Sequence, residues 1–272
     1  MKIAFIGAGS MAEAMINGFI DKQLVKNKDI FVTNQSDKQK LLKLKNTYGV
    51  QITYDLDELF HETEIVVFAV KPKDAEEALL KIKPFVKKTT LFISVLAGVS
   101  ISYIQNILAK DCPIVRAMPN TSATIGKSAT GLAFNDHVSK EAQNRTLSLF
   151  TAIGSASIVK EDQLDIVTGL SGSGPAYIYY VVEALEQSAV DYGLEKEEAK
   201  ALVIQTLLGA THMLSQSNAT AKDLRQAVTS PGGTTEAGVR ILEQYRVKEA
   251  FIACVKEATQ KSKKLGHVFE KA

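Results

Sequence analysis

"KIAFIGAGSMAEAM", Lys2 to Met15, is the stretch from which the fold is read. Lys2 to Gly7 is a short apolar run rich in Ile and Phe that ends in glycine, and it reads as a buried strand. From Ser10 to Ile20 the apolar residues recur at helical spacing. Gly7, Gly9 and Ala12 form G-x-G-x-x-A across the join. The first glycine permits a tight turn. The second lets a pyrophosphate approach the backbone, and the small third residue lets helix and strand pack closely. The phosphates would then face free N–H groups and the positive end of a helix. Glycines in such a turn are common, so the dinucleotide reading depends on the α/β pattern that follows.

That pattern is present. Strands are expected at Asp29–Asn34, in "VQIT" after Gly49, at Glu64–Val70, Thr90–Gly98, Pro113–Asn120, Gly131–Asn135 and Ser155–Lys160. Helical segments separate most of them, among them "SDKQKLLKLKNTYG" with Gly49 as its stop. Strand alternating with helix predicts a parallel, doubly wound sheet of Rossmann type. From Gln163 onward no strand is expected. Long helices are expected over Pro175–Gly193 and Lys196–Gln216, a shorter one in "AKDLRQAVTS", and one or two more over Glu236–Phe269. The sequence therefore divides near residue 158, with an α/β half over 1–158 and an all-helical half over 159–272.

Composition bounds the function. The chain has 272 residues, 46% hydrophobic and 23% charged, with net charge +2, as in an ordinary globular protein. Lys and Arg are spread along it, so neither a nucleic-acid stripe nor a polybasic membrane anchor stands out. No apolar run approaches the ~20 residues of a membrane helix, and "MKIAFIGAGSM" lacks the pattern of an export signal. Cys112 and Cys254 lie far apart and are expected as reduced thiols, in keeping with a cytoplasmic enzyme. The four histidines, His61, His137, His212 and His267, show no ligand spacing, so no metal site is expected.

At the end of the second strand, where an acid would bind a ribose 2′-hydroxyl and repel a 2′-phosphate, the sequence has Thr33, Asn34, Gln35, Ser36, Asp37 and Lys38. No carboxylate stands at the strand end itself. This leans towards NADPH, with Asp37 close enough to keep NADH as the alternative.

The chain resembles the pyrroline-5-carboxylate reductases nearly end to end. The likeness rests on "FIGAGSMAEAM" (Phe5–Met15), "FAVKP" (Phe68–Pro72), "ISVLAGV" (Ile93–Val99), "RAMPNT" (Arg116–Thr121), "TGLSGSGPAY" (Thr168–Tyr177) and "DLRQAVTSPGGTTEAG" (Asp223–Gly238). It implies a Rossmann domain followed by a helical domain that joins two subunits into a homodimer, often five such dimers in a ring. It also implies a nicotinamide cofactor, usually NADPH. Matching positions place Ile6, Gly7, Ala8, Gly9, Ser10, Met11 and Ala12 at the pyrophosphate, and Asn34 and Ser36 near the adenine ribose. Ala69, Val70, Lys71, Pro72, Leu96 and Ala97 would line the nicotinamide side. The substrate, a small cyclic imine bearing a carboxylate, would meet Glu161, Ser230, Gly232, Gly233, Thr234 and Thr235.

Residue chemistry suits that assignment. A protonated imine needs little proton machinery; it needs positioning and complementary charge. Pro231 stops the preceding helix, and Gly232 and Gly233 can turn N–H groups towards one point, a nest for a carboxylate. Ser230 and Thr234 add hydroxyls, and Thr235 is the expected catalytic residue, bonding the ring nitrogen. The bland alternative is a helix-breaking turn with a threonine cap. Glu161 has one too, as a solvent-facing acid in a charged turn.

Three positions depart from the family's usual pattern: Leu56 where an asparagine often serves the phosphate, Gln35 where arginine is frequent, and Ala219–Ala221 in place of a Glu-His-Pro run. A 3-hydroxyacid dehydrogenase is disfavoured because "PAYIYYVVEAL" has no lysine. "GLSGSG" fails as a hydrolase elbow in either frame. A regulatory protein that binds the dinucleotide without turnover is the rival from another class.

Overall fold

The computed structural model describes side chains from Met1 to Gly266 and the backbone onward to Glu270. Eight strands form one sheet: β1 (Ile3–Ile6), β2 (Ile30–Thr33), β3 (Gln51–Ile52), β4 (Ile65–Phe68), β5 (Leu91–Ser94), β6 (Ile114–Met118), β7 (Ser128–Phe134) and β8 (Gly154–Ile158). Their order is β3-β2-β1-β4-β5-β6-β7-β8, so the direction of winding switches between β1 and β4. Ligands bind at such a switch point, beyond the carboxyl ends of the strands.

The central strands are apolar on both faces because helices cover both. Ile3, Phe5, Ile65, Val67 and Ile93 face one side, packed with α1 (Ser10–Asp21), α2 (Lys38–Tyr48) and α6 (Lys140–Thr151). Ala4, Ile6, Val66, Phe68 and Phe92 face the other, under α3 (Leu56–Phe60), α4 (Ala75–Ile82) and α5 (Ile101–Leu108). This is the strand alternation with a period of two. Leu56, where the family often has a polar side chain, packs against the second cluster. Gly49 ends α2 in the left-handed conformation at φ 69°, as a glycine stop should.

One expectation changes. β7 runs antiparallel to β6, while β8 is parallel to β7. The segment joining β6 to β7, residues 119–127, holds only a 3-10 turn over Thr121–Ile125. A parallel crossover needs roughly a dozen residues or more, so the chain can only turn back.

After β8 come α7 (Leu164–Val167) and a π-helical turn over Thr168–Gly172. Leu164 and Val167 pack so closely over Gly131 of β7 that a Cβ there would stand 2.9 Å from Val167 Cγ1. The sheet ends at Ile158, but the compact units divide later: one holds Met1–Pro175 with Lys256–Ala272, the other Ala176–Val255.

The helices of the rest of the chain are α8 (Gly174–Asp191), α9 (Lys196–Gln216), α10 (Ala221–Ala227), α11 (Thr234–Gln244) and α12 (Val247–Glu270). Within the second unit α10 and α11 bury no residue and α9 buries only Ala199. Large apolar side chains stand open instead: Tyr180, Leu202, Leu208, Met213 and Ile252 are all at least 58% exposed. From Lys256, α12 belongs to the sheet unit. Ser262, 3% exposed, donates to Asp165 Oδ1 at 2.6 Å.

Candidate active site

The turn after β1 meets the demands of the glycine motif. Gly7 has φ +111°, and a Cβ there would lie 2.4 Å from the Ala69 carbonyl oxygen. Its N–H donates to Thr33 O at 2.9 Å, tying the turn to the end of β2. Gly9 is different. Its φ of −72° is ordinary, and a Cβ would find only the Ala69 oxygen, at 4.0 Å. Among the described residues nothing forbids a side chain at Gly9, so the glycine leaves space outward, where a pyrophosphate would lie. Gly9 is also the N-cap of α1, and no side chain caps that helix. The donors of its first turn are available to an anion. Ala12 is fully buried against the sheet and Ala8 is nearly so, while Ser10 is exposed.

At the end of β2, Asn34 is held at both ends of its amide. Nδ2 donates to Asp37 O at 2.7 Å, and Tyr54 Oη donates to Oδ1 at 3.1 Å. Asp37, the acid close enough to suggest NADH, caps α2: its Oδ1 accepts the Lys40 N–H at 2.9 Å. Ser36 and Lys38 are exposed beside it.

Ala69 and Val70 continue β4, half-buried, and the Ala69 N–H donates to Ile6 O at 2.8 Å. Lys71 and Pro72 are exposed, with Pro72 opening a 3-10 turn. Beyond β5, Leu96 is buried and Ala97 half-buried. This segment is pinned twice. Gly98, at φ +76°, lies so near α12 that a Cβ on it would be 3.1 Å from Gly266 N. Three residues on, the Ile101 N–H donates to Glu161 Oε1 at 2.7 Å. The same oxygen accepts from Arg116 Nη1 at 3.3 Å.

Arg116 and Asn120 lie in a quoted motif but drew no role from the sequence. Arg116 sits 7% exposed in β6. A lone arginine in an apolar strand was the signal, since a buried guanidinium needs an anion. Asn120 donates to Ser171 O at 2.9 Å and accepts from the Ser122 N–H, joining two motifs. Ser171 Oγ donates to Val167 O at 3.1 Å, inside the π-helical turn.

In the second unit, Ser230–Gly233 forms a type II turn. Pro231 takes the second position and Gly232, at φ +74°, the third; Gly233 N–H closes it on Ser230 O at 3.0 Å. The Gly232 N–H donates to Glu236 Oε2 at 2.8 Å. Both glycine N–H groups are thus engaged within the loop and do not converge as a nest. Gly233 is instead the N-cap of α11, and no side chain caps it, so the donors on offer are those of the first turn, starting at Thr234 and Thr235. Ser230, Thr234 and Thr235 are exposed. Beside the loop, Arg225, Gln226, Thr229, Val239, Arg240 and Glu243 help line a groove of about 450 Å³. Thr220, where the family's Glu-His-Pro run would be, caps α10 in a capping box with Asp223. The hydrogen bonds from Thr220 hold the Asp223 carboxyl below its usual range. Among the described residues no three His, Cys, Asp or Glu side chains gather as a metal site.

Comparison with known proteins agrees with this arrangement. A family profile described as pyrroline-5-carboxylate reductase dimerisation matches residues 161–265, and one described as NADP oxidoreductase coenzyme F420-dependent matches residues 2–98. Pyrroline-5-carboxylate reductase 2 of Bacillus subtilis (strain 168) is 47% identical over 98% of this chain and 96% of its own length.

The chain belongs to the pyrroline-5-carboxylate reductase family.

Solved members of the family share the whole fold. The Coxiella burnetii reductase is 39% identical with a TM-score of 0.90, covering 97% of this chain and 98% of that one. A Plasmodium falciparum pyrroline carboxylate reductase, solved with NADP bound, is 31% identical with a TM-score of 0.89, covering 98% of each. The Rossmann sheet followed by a helical region is the family architecture.

Proposed function

We propose that the chain reduces 1-pyrroline-5-carboxylate to L-proline with NADPH, the final step of proline biosynthesis. The observation that carries this reading is the 47% identity over 98% of the chain, with the loop Ser230–Thr235 intact. A bound nicotinamide would supply the hydride to the imine carbon; the C=N π electrons pass to the ring nitrogen, which ends as an amine.

The chain's own residues bind and orient. Gly7 to Ala12 take the pyrophosphate at the uncapped start of α1, and Asn34 and Ser36 take the adenine ribose. Ala69 to Pro72, Leu96 and Ala97 line the nicotinamide side. Glu161 holds the segment carrying Leu96 and Ala97 through the Ile101 N–H, and its match to an acid of the family supports a role towards the substrate. The start of α11, with Ser230, Thr234 and Thr235, receives the substrate carboxylate. The Thr235 hydroxyl bonds the ring nitrogen. The capping role of Asp37 supports NADPH, because its carboxylate is drawn to α2 and away from a 2′-phosphate.

A second copy of the chain would cover the apolar faces of α8, α9 and α12, giving a homodimer that can assemble as five dimers in a ring. The dimerisation profile over residues 161–265 supports the first step. Free Cys112 and Cys254 suit the reducing cytoplasm, and no helix among the described residues is long and apolar enough to cross a membrane.

The test is loss of nicotinamide absorbance with pyrroline-5-carboxylate and either NADPH or NADH. Turnover with the first in preference to the second is expected. Tight cofactor binding without turnover would leave a regulatory protein instead.

A further inference from the structure

The ends of β2 and β3 form a second constellation of polar groups. These strands are parallel neighbours, pairing Phe31 with Gln51 and Val32 with Ile52, so the loops that follow leave the same edge of the sheet. Tyr54, 49% exposed, crosses from one loop to the other and donates its hydroxyl to Asn34 Oδ1 at 3.1 Å. The Asn34 amide has two flips, and its other contact decides between them. At 2.7 Å it faces the Asp37 carbonyl oxygen, which can only accept, so that side must be the NH₂ group. Tyr54 then meets the amide oxygen and holds it. The NH₂ group keeps its second hydrogen as a donor at the strand end. With Asp37 capping α2, the polar groups that follow β2 include this amide donor, the Gln35 amide, the Ser36 hydroxyl and the Lys38 ammonium.

We infer that Tyr54 is a specificity-determining positioning residue: the Asp37 carbonyl selects the flip of the Asn34 amide, and the Tyr54 hydroxyl, bonded to Oδ1, restrains the amide in it, which favours a dinucleotide with a 2′-phosphate over one with a 2′-hydroxyl. The inference rests on the cofactor reading above. Its logic is the difference between the two ribose groups. A phosphate only accepts hydrogen bonds, so it gains from an amide that cannot turn its oxygen outward. A ribose hydroxyl both donates and accepts, so either flip satisfies it.

The experiment measures NADP⁺ and NAD⁺ affinity by calorimetry for the full-length oligomer, for Tyr54→Phe and for Asn34→Asp. Tyr54→Phe keeps the half-exposed ring and removes one hydrogen bond of about 1 kcal/mol. NADP⁺ binding should weaken about five-fold, with NAD⁺ changed less than about two-fold. Asn34→Asp, which replaces the donor with an anion, should weaken NADP⁺ more than about ten-fold and leave NAD⁺ the preferred dinucleotide. Equal loss for both dinucleotides in Tyr54→Phe would make the tyrosine a merely structural support and overturn the inference. So would no change in either. If the parent protein binds neither dinucleotide, the cofactor reading falls and takes the inference with it.

Discussion

Replacing Glu161 with alanine separates two roles for that residue. Its Oε1 accepts the Ile101 N–H at 2.7 Å and Arg116 at 3.3 Å. The Arg116 side chain is 9% exposed and that of Glu161 34%. Alanine leaves a nearly buried guanidinium without its carboxylate. Breaking a fully buried pair in this way costs about 3–5 kcal/mol; water at the glutamate end screens the interaction and brings the figure to about 2–3 kcal/mol. At roughly 2–4 °C per kcal/mol for a chain of this size, the melting temperature should fall by about 5–10 °C. Glu161→Gln keeps an acceptor for Ile101 and should recover about 1 kcal/mol of the loss. The assay is thermal unfolding followed by circular dichroism at one fixed protomer concentration, alongside NADP⁺ titration. Loosening the segment that carries Leu96 and Ala97 should weaken NADP⁺ as well. An alanine variant that melts within about 1 °C of the parent refutes this reasoning. If it also loses turnover, Glu161 acts on the substrate directly.

Other predictions are simpler. Thr235→Ala should lower kcat/KM for the imine about 100-fold with NADP⁺ affinity within about two-fold, because in the proposed function it removes the group that bonds the reacting nitrogen; steady-state kinetics checks this. Gly7→Ala forces a Cβ to within 2.4 Å of the Ala69 oxygen at φ +111°, so calorimetry should find no NADP⁺ binding and the melting temperature should drop. Cys112 is fully buried and burial pushes its thiol pKa up. It therefore stays protonated where an exposed thiol ionises, and a thiol reagent at about pH 8 should label Cys112 only after denaturant is added.

The sequence is a good guide where a pattern is local. Lys2 to Met15 predicts β1, its turn and α1, and Lys196–Gln216 is a helix with those bounds. What escapes it depends on residues far apart. The direction of β7 is set by the length of the link before it and not by its own alternation. Nothing local in "TQKSKKLG" marks Ser262 for burial, yet it is buried against Asp165, 97 residues away. Glu161 looks like an acid in a charged turn until Ile101 and Arg116 are seen beside it. The glycines of the type II turn were legible as a turn. Where the Gly232 N–H goes was not, since that follows from a glutamate four residues on.

The return of α12 to the sheet unit bears on the order in which the protein comes into being. All eight strands lie before residue 159, so the sheet can form while most of the helical region is still being synthesised. Gly98, however, packs against Gly266, and Asp165 bonds Ser262. These contacts cannot exist until residues 262–266 have emerged. A nascent chain halted at Val255 would hold every strand and every glycine of the cradle, yet the loop after β5 would lack the helix that packs on it. Synthesis past Gly266 is thereby a condition for packing the loop after β5.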